Sequence, residues 1–441
     1  MIPELPATLV RGLGLFLPLG ALIALCLWRA PSHRETASMI VASGWALLTL
    51  IPLNLYAVHA DWWSFHAEGA LWQGLPVDLL LAWVLLWGAL PALLLRLLPV
   101  PLITGLLVWL DVILMPLAEP VVVLGPRWPL GEVVGAALCL VPASLLAFWT
   151  RHRRLLLARM WAQALLAFGL MVALPVYVLA TTPPETVPWQ IRVELPGMEE
   201  LSILVQLLAL VCLPGLAAAR EFAVAGRGTP LPYDPPEHLV TSGPYAYVRN
   251  PMQLTLVLVY LVLGLLHPVL LIGAPVCLAY GAGFATWHED GRSRERFGHA
   301  WTHYRAGVRP WLPRWRPWPG RAPGTLFVAM DCGMCREVGN RVAARRPTAL
   351  RMRPAADHPQ VLYRLTYESA DGTRWSGLAA LARAMEHLHL GWALTGWALS
   401  LPVVRPFLQL CADAFGAGPR PSRMVPVPPP QAPQPLSPAD S

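Results

Sequence analysis

LVTSGPYAYVRNPMQ (239–253) and HEDGRSRERFGHAWTHYRAGVRPWLP (288–313) flank two apolar runs that meet at His267-Pro268. Two apolar helices joined by so tight a connection form a membrane hairpin, and both ends of a hairpin lie at one membrane face. The two polar segments are therefore placed to build one site together. The first supplies Arg249 in a loop stiffened by Gly243-Pro244 and by Pro251. The second supplies Glu289, Asp290, several arginines and aromatics.

Working outward, apolar runs continue on the N-terminal side. About 20 apolar residues span the hydrocarbon core as a helix. The runs predict nine spans, at 7–28, 39–58, 77–98, 101–124, 131–149, 158–180, 201–219, 252–266 and 269–287. Hydrophobic residues make up 56% of the 441 and charged residues 13%, a balance that suits a membrane protein rather than a soluble one. The net charge of +7 rests wholly on arginine. The arginines gather at the ends of apolar runs, so they read as membrane flanks and not as a nucleic-acid surface. The first run lacks a small-residue cleavage site and reads as a span. Arg29 and Arg34, Arg96, Arg151-His152-Arg153-Arg154, Arg227 with Arg249, and the arginines after the last run fall on alternate connections. The positive-inside rule then places the N-terminus outside and the C-terminal region in the cytoplasm, as expected of a bacterial inner (cell) membrane protein.

A second composition begins after the linker RWRPWPGRAP (314–323). GTLFVAM (324–330) reads as a buried strand, followed by Asp331-Cys332-Gly333-Met334-Cys335 and a helix to about Arg345. ALRMRP (349–354) and VLYRLTYESADGTRW (361–375) read as strands, the latter a hairpin turning at Asp371-Gly372, and LAALARAMEHL (378–388) as a helix. From residue 418 the Pro-rich chain is expected to be disordered. Cys26, Cys139, Cys212 and Cys277 lie singly in apolar runs as small hydrophobes, and an odd total of seven cysteines argues against a secreted disulfide framework.

Several residues carry chemistry. An arginine held in a rigid loop pairs with a carboxylate in two-pronged fashion; the competing reading of Arg249 is a plain positive-inside flank. Tyr245 and Tyr247 offer aromatic faces to a cation or belong to an interfacial aromatic belt. Glu289 shares a helix face with Arg292 and Arg296, which fits either a ligand contact or a solvated ion-pair face. His299 and His303 have ligand spacing, but no third ligand accompanies them and no metal is expected. Asp111 lies mid-span and requires a partner or a cavity. Cys332-x-x-Cys335 between a strand and a helix has the spacing of a dithiol redox site; half a zinc site is the alternative, and no second Cys or His pair follows.

Gly243-Pro244-Tyr245-x-x-Val248-Arg249-x-Pro251, the hairpin, Glu289-Asp290, Phe297-Gly298 and Tyr304 together resemble the isoprenylcysteine carboxyl methyltransferase family and its phospholipid methyltransferase relatives. Asn250 stands where that family usually has His, Asp290 replaces a second Glu, Trp301 replaces a Tyr, and Ser293 replaces a Leu. The resemblance implies S-adenosylmethionine as cofactor, held by Gly243, Tyr245, Arg249, Asn250, Glu289 and Tyr304, with Arg249 and Glu289 at the catalytic centre. It also implies a lipophilic or prenylated substrate taken from the bilayer. Asp331-Cys332-x-x-Cys335, Asp371-Gly372, Gly377, Ala380-Leu381 and Leu401-Pro402 resemble the DCC family of thiol-disulfide oxidoreductase-like domains. Ala329-Met330 stands where that family has Asp-Gly. This second resemblance implies a thioredoxin-like fold, thiol exchange through Cys332 and Cys335, and a thiol partner.

The expected architecture is thus an α-helical polytopic membrane protein of about nine helices with a C-terminal α/β thioredoxin-like domain. Its parts are residues 1–129 of unassigned role, a methyltransferase-like core at 130–322, the thioredoxin-like domain at 323–417 and a tail at 418–441. The expected function is methyl transfer at the cytoplasmic membrane face. A membrane-anchored thiol-disulfide oxidoreductase, an NADPH-linked membrane reductase and a non-enzymatic scaffold are the alternatives.

Overall fold

The structure is a computed structural model that describes residues 6–66, 68–181, 197–230 and 234–421; the side chains of 284–289 lie outside the description. Among the described residues, seven helices are long and apolar enough to cross a membrane. They are α1 (Ala7–Trp28), α2 (His33–His59), α3 (Val77–Leu94), α4 (Val100–Leu117), α5 (Trp128–Arg151), α6 (Leu156–Thr181) and α7 (Met198–Val224). Pro18, Pro52, Pro116 and Pro214 sit inside α1, α2, α4 and α7, positions that membrane helices tolerate.

The last two runs are shorter than the sequence predicts. α8 (Pro251–Leu263) has 13 residues, and α9 (Pro268–Gly283) also falls below membrane-spanning length. The physical reason lies at Gly264 and His267, where the helix unwinds before Pro268. At Gly264 an added Cβ would press on Leu271, so the returning chain packs directly on the glycine.

The chain divides into two compact units, one of Met1–Gln206, Ala219–His238 and Tyr260–Ile272, the other of Leu207–Ala218, Leu239–Val259 and Gly273–Ser441. In the first unit, helix ends are tied by buried ions. Ser32 caps α2 reciprocally with Glu35, its N–H and hydroxyl both donating to Glu35 Oε2 at 2.8 and 3.0 Å. Arg96 at the end of α3 grips the same carboxylate with Nε at 2.9 Å and Nη2 at 3.2 Å. Arg96 also donates to the carbonyls of Leu25 and Arg29 at the end of α1. Arg151 at the end of α5 reaches Glu35 at 3.2 Å. The ends that carry arginine in the sequence therefore meet at one face. At the other end, one two-stranded ribbon pairs β1 (Trp63–Phe65) with β4 (Val122–Leu124) antiparallel, a second pairs β2 (Leu71–Trp72) with β3 (Leu75–Pro76), and Arg11 pairs with Asp78 through Nε and Nη2.

Asp111 is buried on α4, where its carboxyl accepts from Trp83 Nε1 at 3.4 Å and bonds to the buried carboxyl of Glu132 on α5. The mid-span acid thus has protein partners. A further ion cluster joins Arg159, buried on α6, to Asp234, which also accepts from Arg153 and from the Thr229 hydroxyl at 3.3 Å.

The second unit holds a four-stranded sheet in the order β6-β5-β7-β8. β5 (Gly324–Val328) runs parallel to β6 (Leu350–Pro354) and antiparallel to β7 (Thr366–Glu368), which pairs antiparallel with β8 (Arg374–Ser376). Between β5 and β6 lies α11 (Gly333–Ala344), and after β8 come α12 (Leu378–Met385), α13 (Leu390–Leu399) and α14 (Val404–Ala412). Leu326, Val328, Val342, Tyr367, Ala380 and Leu388 form the core between sheet and helices. The hairpin turns at Asp371-Gly372 as its sequence predicts, but its strands begin at Thr366, later than residue 361. Most of the expected Pro-rich tail, residues 422–441, lies outside the described residues.

Candidate functional site

The two polar flanks of the hairpin come together within the second unit, and main-chain hydrogen bonds do the joining. Arg249 N–H donates to Arg309 O at 2.9 Å and Asn250 N–H to Pro310 O at 3.2 Å. Arg314 N–H donates back to Tyr247 O at 2.9 Å, and Trp318 N–H to Ala246 O at 2.8 Å. The loop itself is a single 3-10 turn, Gly243–Ala246, entered through Gly243 at φ 57°. That left-handed conformation suits glycine and strains other residues. Pro251 then sits at the first position of α8, where its missing N–H is harmless.

The second flank, α10 (Thr286–Gly307), is broken at Gly298, where φ is 52° and ψ −124°. The break redirects the chain after Phe297, and Trp301 and Tyr304 pack with Val308 and Trp318. Tyr304 is fully buried and its hydroxyl donates to Tyr245 O at 2.9 Å. Burial pushes the Tyr304 phenol above its ordinary pKa, and Arg249 opposes this. Tyr304 therefore fastens the loop to α10 in its neutral form.

Arg249 lies in this corner, half-buried. Its guanidinium carbon sits 5.9 Å from the Trp301 ring centroid, and Nη1 makes only a long contact of 3.5 Å to Arg305 O. Burial lowers the Arg249 pKa, while the nearby Asp290 carboxylate acts the other way. Asp290 itself is paired with Arg305 at 3.0 Å. Arg249 thus has no carboxylate bonded to it among the described residues. Among the buried polar atoms of this unit that have no hydrogen-bond partner among the described residues are Trp301 Nε1 and, one turn into α8, Gln253 Oε1. Buried groups of this kind are rare and call for a water or a ligand. The Glu289 side chain, expected at the same centre, lies outside the described residues. Beside Arg309 is an open depression of about 320 Å³ lined by Arg309, Leu312, Pro313, Arg314, Trp315 and Arg316.

The residues S-adenosylmethionine requires are compatible with this corner. Its methionine carboxylate matches an unpaired, partly desolvated arginine, its sulfonium matches an aromatic wall, and the vacant indole N–H matches an acceptor. Tyr247 takes a different part. It is buried, donates from its hydroxyl to Glu386 O at 3.1 Å, and meets the Trp397 ring edge-on at 5.9 Å. Tyr247 anchors the loop on the C-terminal helices, sharing the Glu386 carbonyl with Arg321 Nη1. Sequence spacing gave no signal of this, because the partner lies 139 residues away.

The dithiol forms a second site. Cys332 follows β5 and is the N-cap of α11, its sulfur accepting from Cys335 N–H at 3.4 Å. Burial works against ionisation of Cys332, but the Cys335 thiol, the N–H groups of Cys335 and Met334, and Arg420 outweigh it and lower its pKa. Burial first, then donation to Cys332, pushes Cys335 up to about 12. The pair therefore has one ready thiolate and one reluctant thiol. No group of metal-ligating side chains occurs among the described residues, which leaves the half-zinc reading of the cysteines without further ligands there.

No protein-family model, curated protein or solved structure matches the chain.

Proposed function

We propose that the protein is a membrane methyltransferase that takes S-adenosylmethionine at the junction of the two hairpin flanks and methylates a lipophilic or prenylated substrate. The observation that carries this reading is the guanidinium of Arg249, which has no carboxylate bonded to it among the described residues, held on Trp301 where the flanks join, with Asp290 paired to Arg305. Bound S-adenosylmethionine supplies an already activated methyl group. The chain's work is then placement and exclusion of water. Arg249 clamps the carboxylate, Trp301 covers the sulfonium, Tyr245 and Gly243 shape the loop, and Glu289 and Asn250 complete the site as the family resemblance implies. The cytoplasmic face, where the arginines fall, is the side on which this cofactor is available.

Titration calorimetry of the full chain in detergent tests the reading. A carboxylate–arginine contact is worth about 1.5–3 kcal/mol, so Arg249→Ala is expected to weaken binding about 10- to 150-fold. Absence of binding, or equal binding by the variant, refutes it.

A second activity, thiol-disulfide exchange, is favoured by Cys332 as the N-cap of α11. The β5-α11-β6 unit with its antiparallel hairpin and closing helix supports a thioredoxin-like fold for residues 323–417, with C-x-x-C at the turn expected of such a motif. In that reaction the Cys332 thiolate attacks one sulfur of a partner disulfide and releases the other as thiolate. Cys335 then attacks the mixed disulfide, which oxidises the pair and leaves the partner reduced. A mixed disulfide trapped on Cys335→Ser and absent from Cys332→Ser supports this; the reverse pattern excludes it.

A further inference from the structure

The last helices of the second unit present an apolar stripe whose setting identifies what covers it. α13 packs Ala393 and Trp397 against Leu213 of the long apolar helix α7, with Ala217 one turn further on. Those α7 residues lie one to two turns before the charged Arg220 and Glu221, which mark where the span leaves the hydrocarbon. α13 therefore sits at the level of a membrane boundary. After it the chain bends by 91° into α14.

The two faces of α14 are chemically distinct. Arg405, Gln409 and Asp413 follow one another at intervals of one helical turn. Gln409 accepts from Leu378 N–H at 2.8 Å, and Asp413 is paired with Arg364, so this face is fastened to the sheet domain. On the opposite face Val403 is 83% exposed, Phe407 63% and Leu410 69%, and Phe415 beyond the helix is 82% exposed. Val403, Phe407 and Leu410 exposed on one stripe, with Phe415 exposed beyond it, would be a liability in a soluble domain. The same stripe opposite a polar face, on a helix that follows one packed on an apolar span, fits a helix lying in the headgroup–acyl boundary.

We propose that α14 is an in-plane membrane anchor, with Val403, Phe407, Leu410 and Phe415 inserted among lipid acyl chains, holding the dithiol domain against the bilayer surface. This inference rests on the membrane character of α7 and not on either enzymatic reading. The anchor would restrict the domain's thiol chemistry to partners at or in the membrane.

The test uses the full chain in lipid nanodiscs, with a fluorescent amino acid placed at Phe407, Leu410 or Arg405 so that the native cysteines remain. Doxyl-labelled phosphatidylcholine is expected to quench the probe at 407 and 410 at least about threefold more than at 405. Equal quenching at all three positions, or strong quenching at 407 by aqueous iodide, overturns the proposal. Quenching at 407 that appears only when two copies occupy one disc also overturns it and identifies a second chain as the cover. In proteoliposomes, Leu410→Glu is expected to raise chymotryptic cleavage after Phe407 at least about tenfold by freeing the helix. Cleavage at the wild-type rate counts against the anchor.

Discussion

The dithiol makes a quantitative statement about reactivity. Cys335 stands at about 12 and Cys332 below the ordinary 9, so at pH 7 their thiolate fractions differ by at least about a thousandfold. A thiolate of higher pKa is the better nucleophile, with a Brønsted slope of about 0.4–0.5, which returns about 20-fold to Cys335. The balance is a preference of at least about 50-fold for Cys332. Lowering Cys332 further only widens it, because the gain in thiolate exceeds the loss in nucleophilicity. Iodoacetamide below one equivalent, added to the full chain at pH 7, quenched, and followed by peptide mass spectrometry, reads the ratio directly. In denaturant the two cysteines should react alike, since the helix N-terminus and the mutual hydrogen bond are gone. Equal labelling in the native state, or labelling of Cys335 first, would refute the assignment of Cys332 as nucleophile.

Three further outcomes follow from buried polar groups. His387 is fully buried, takes a hydrogen bond from or to the Tyr367 hydroxyl at 2.8 Å, and is held well below its ordinary pKa by burial and then by Arg321. The unfolded chain binds a proton below about pH 6.5 that the folded one refuses, so stability of the sheet domain is full above that pH and falls on acidification by up to about 1.4 kcal/mol per pH unit. Denaturant melts monitored on the domain's tryptophans should show that slope, and His387→Gln should flatten it. Arg96→Ala leaves the buried Glu35 to Arg151 and Ser32 alone and is expected to cost about 3 kcal/mol, as read by thermal melts in detergent. Gly88→Ala would place a Cβ 2.6 Å from Ser43 Cα, backbone that cannot yield cheaply, so a loss of about 1–3 kcal/mol is expected in the same melt.

Periodicity and length made the seven long helices legible, because a run of about 20 apolar residues has few other uses. The α11, β5 and β6 placements were legible for similar reasons, with Cys332-x-x-Cys335 marking the strand-to-helix turn. The short α8 and α9 were not, since composition does not show where a helix stops at Gly264 or unwinds at His267. The convergence of the two flanks was readable from hairpin logic. The means of convergence was not, because main-chain bonds such as Arg249 N–H to Arg309 O depend on backbone atoms that every residue shares. Nor does sequence reveal that Glu35, Arg96 and Arg151 share one buried cluster, since charges at helix ends look alike whether they face water or each other.

The roles of the loop aromatics divide along burial. Tyr247 and Tyr304 spend their hydroxyls on carbonyls of Glu386 and Tyr245, which removes them from reach of a ligand's polar atoms. Trp301 keeps an indole N–H vacant, although its position carries a tyrosine in the family it resembles. A tyrosine there would offer a hydroxyl, able to donate and accept; an indole only donates. Arg249 and the Trp301 indole N–H are donors, while Asp290 is paired with Arg305. On the proposed reading these donors would take the carboxylate of the cofactor.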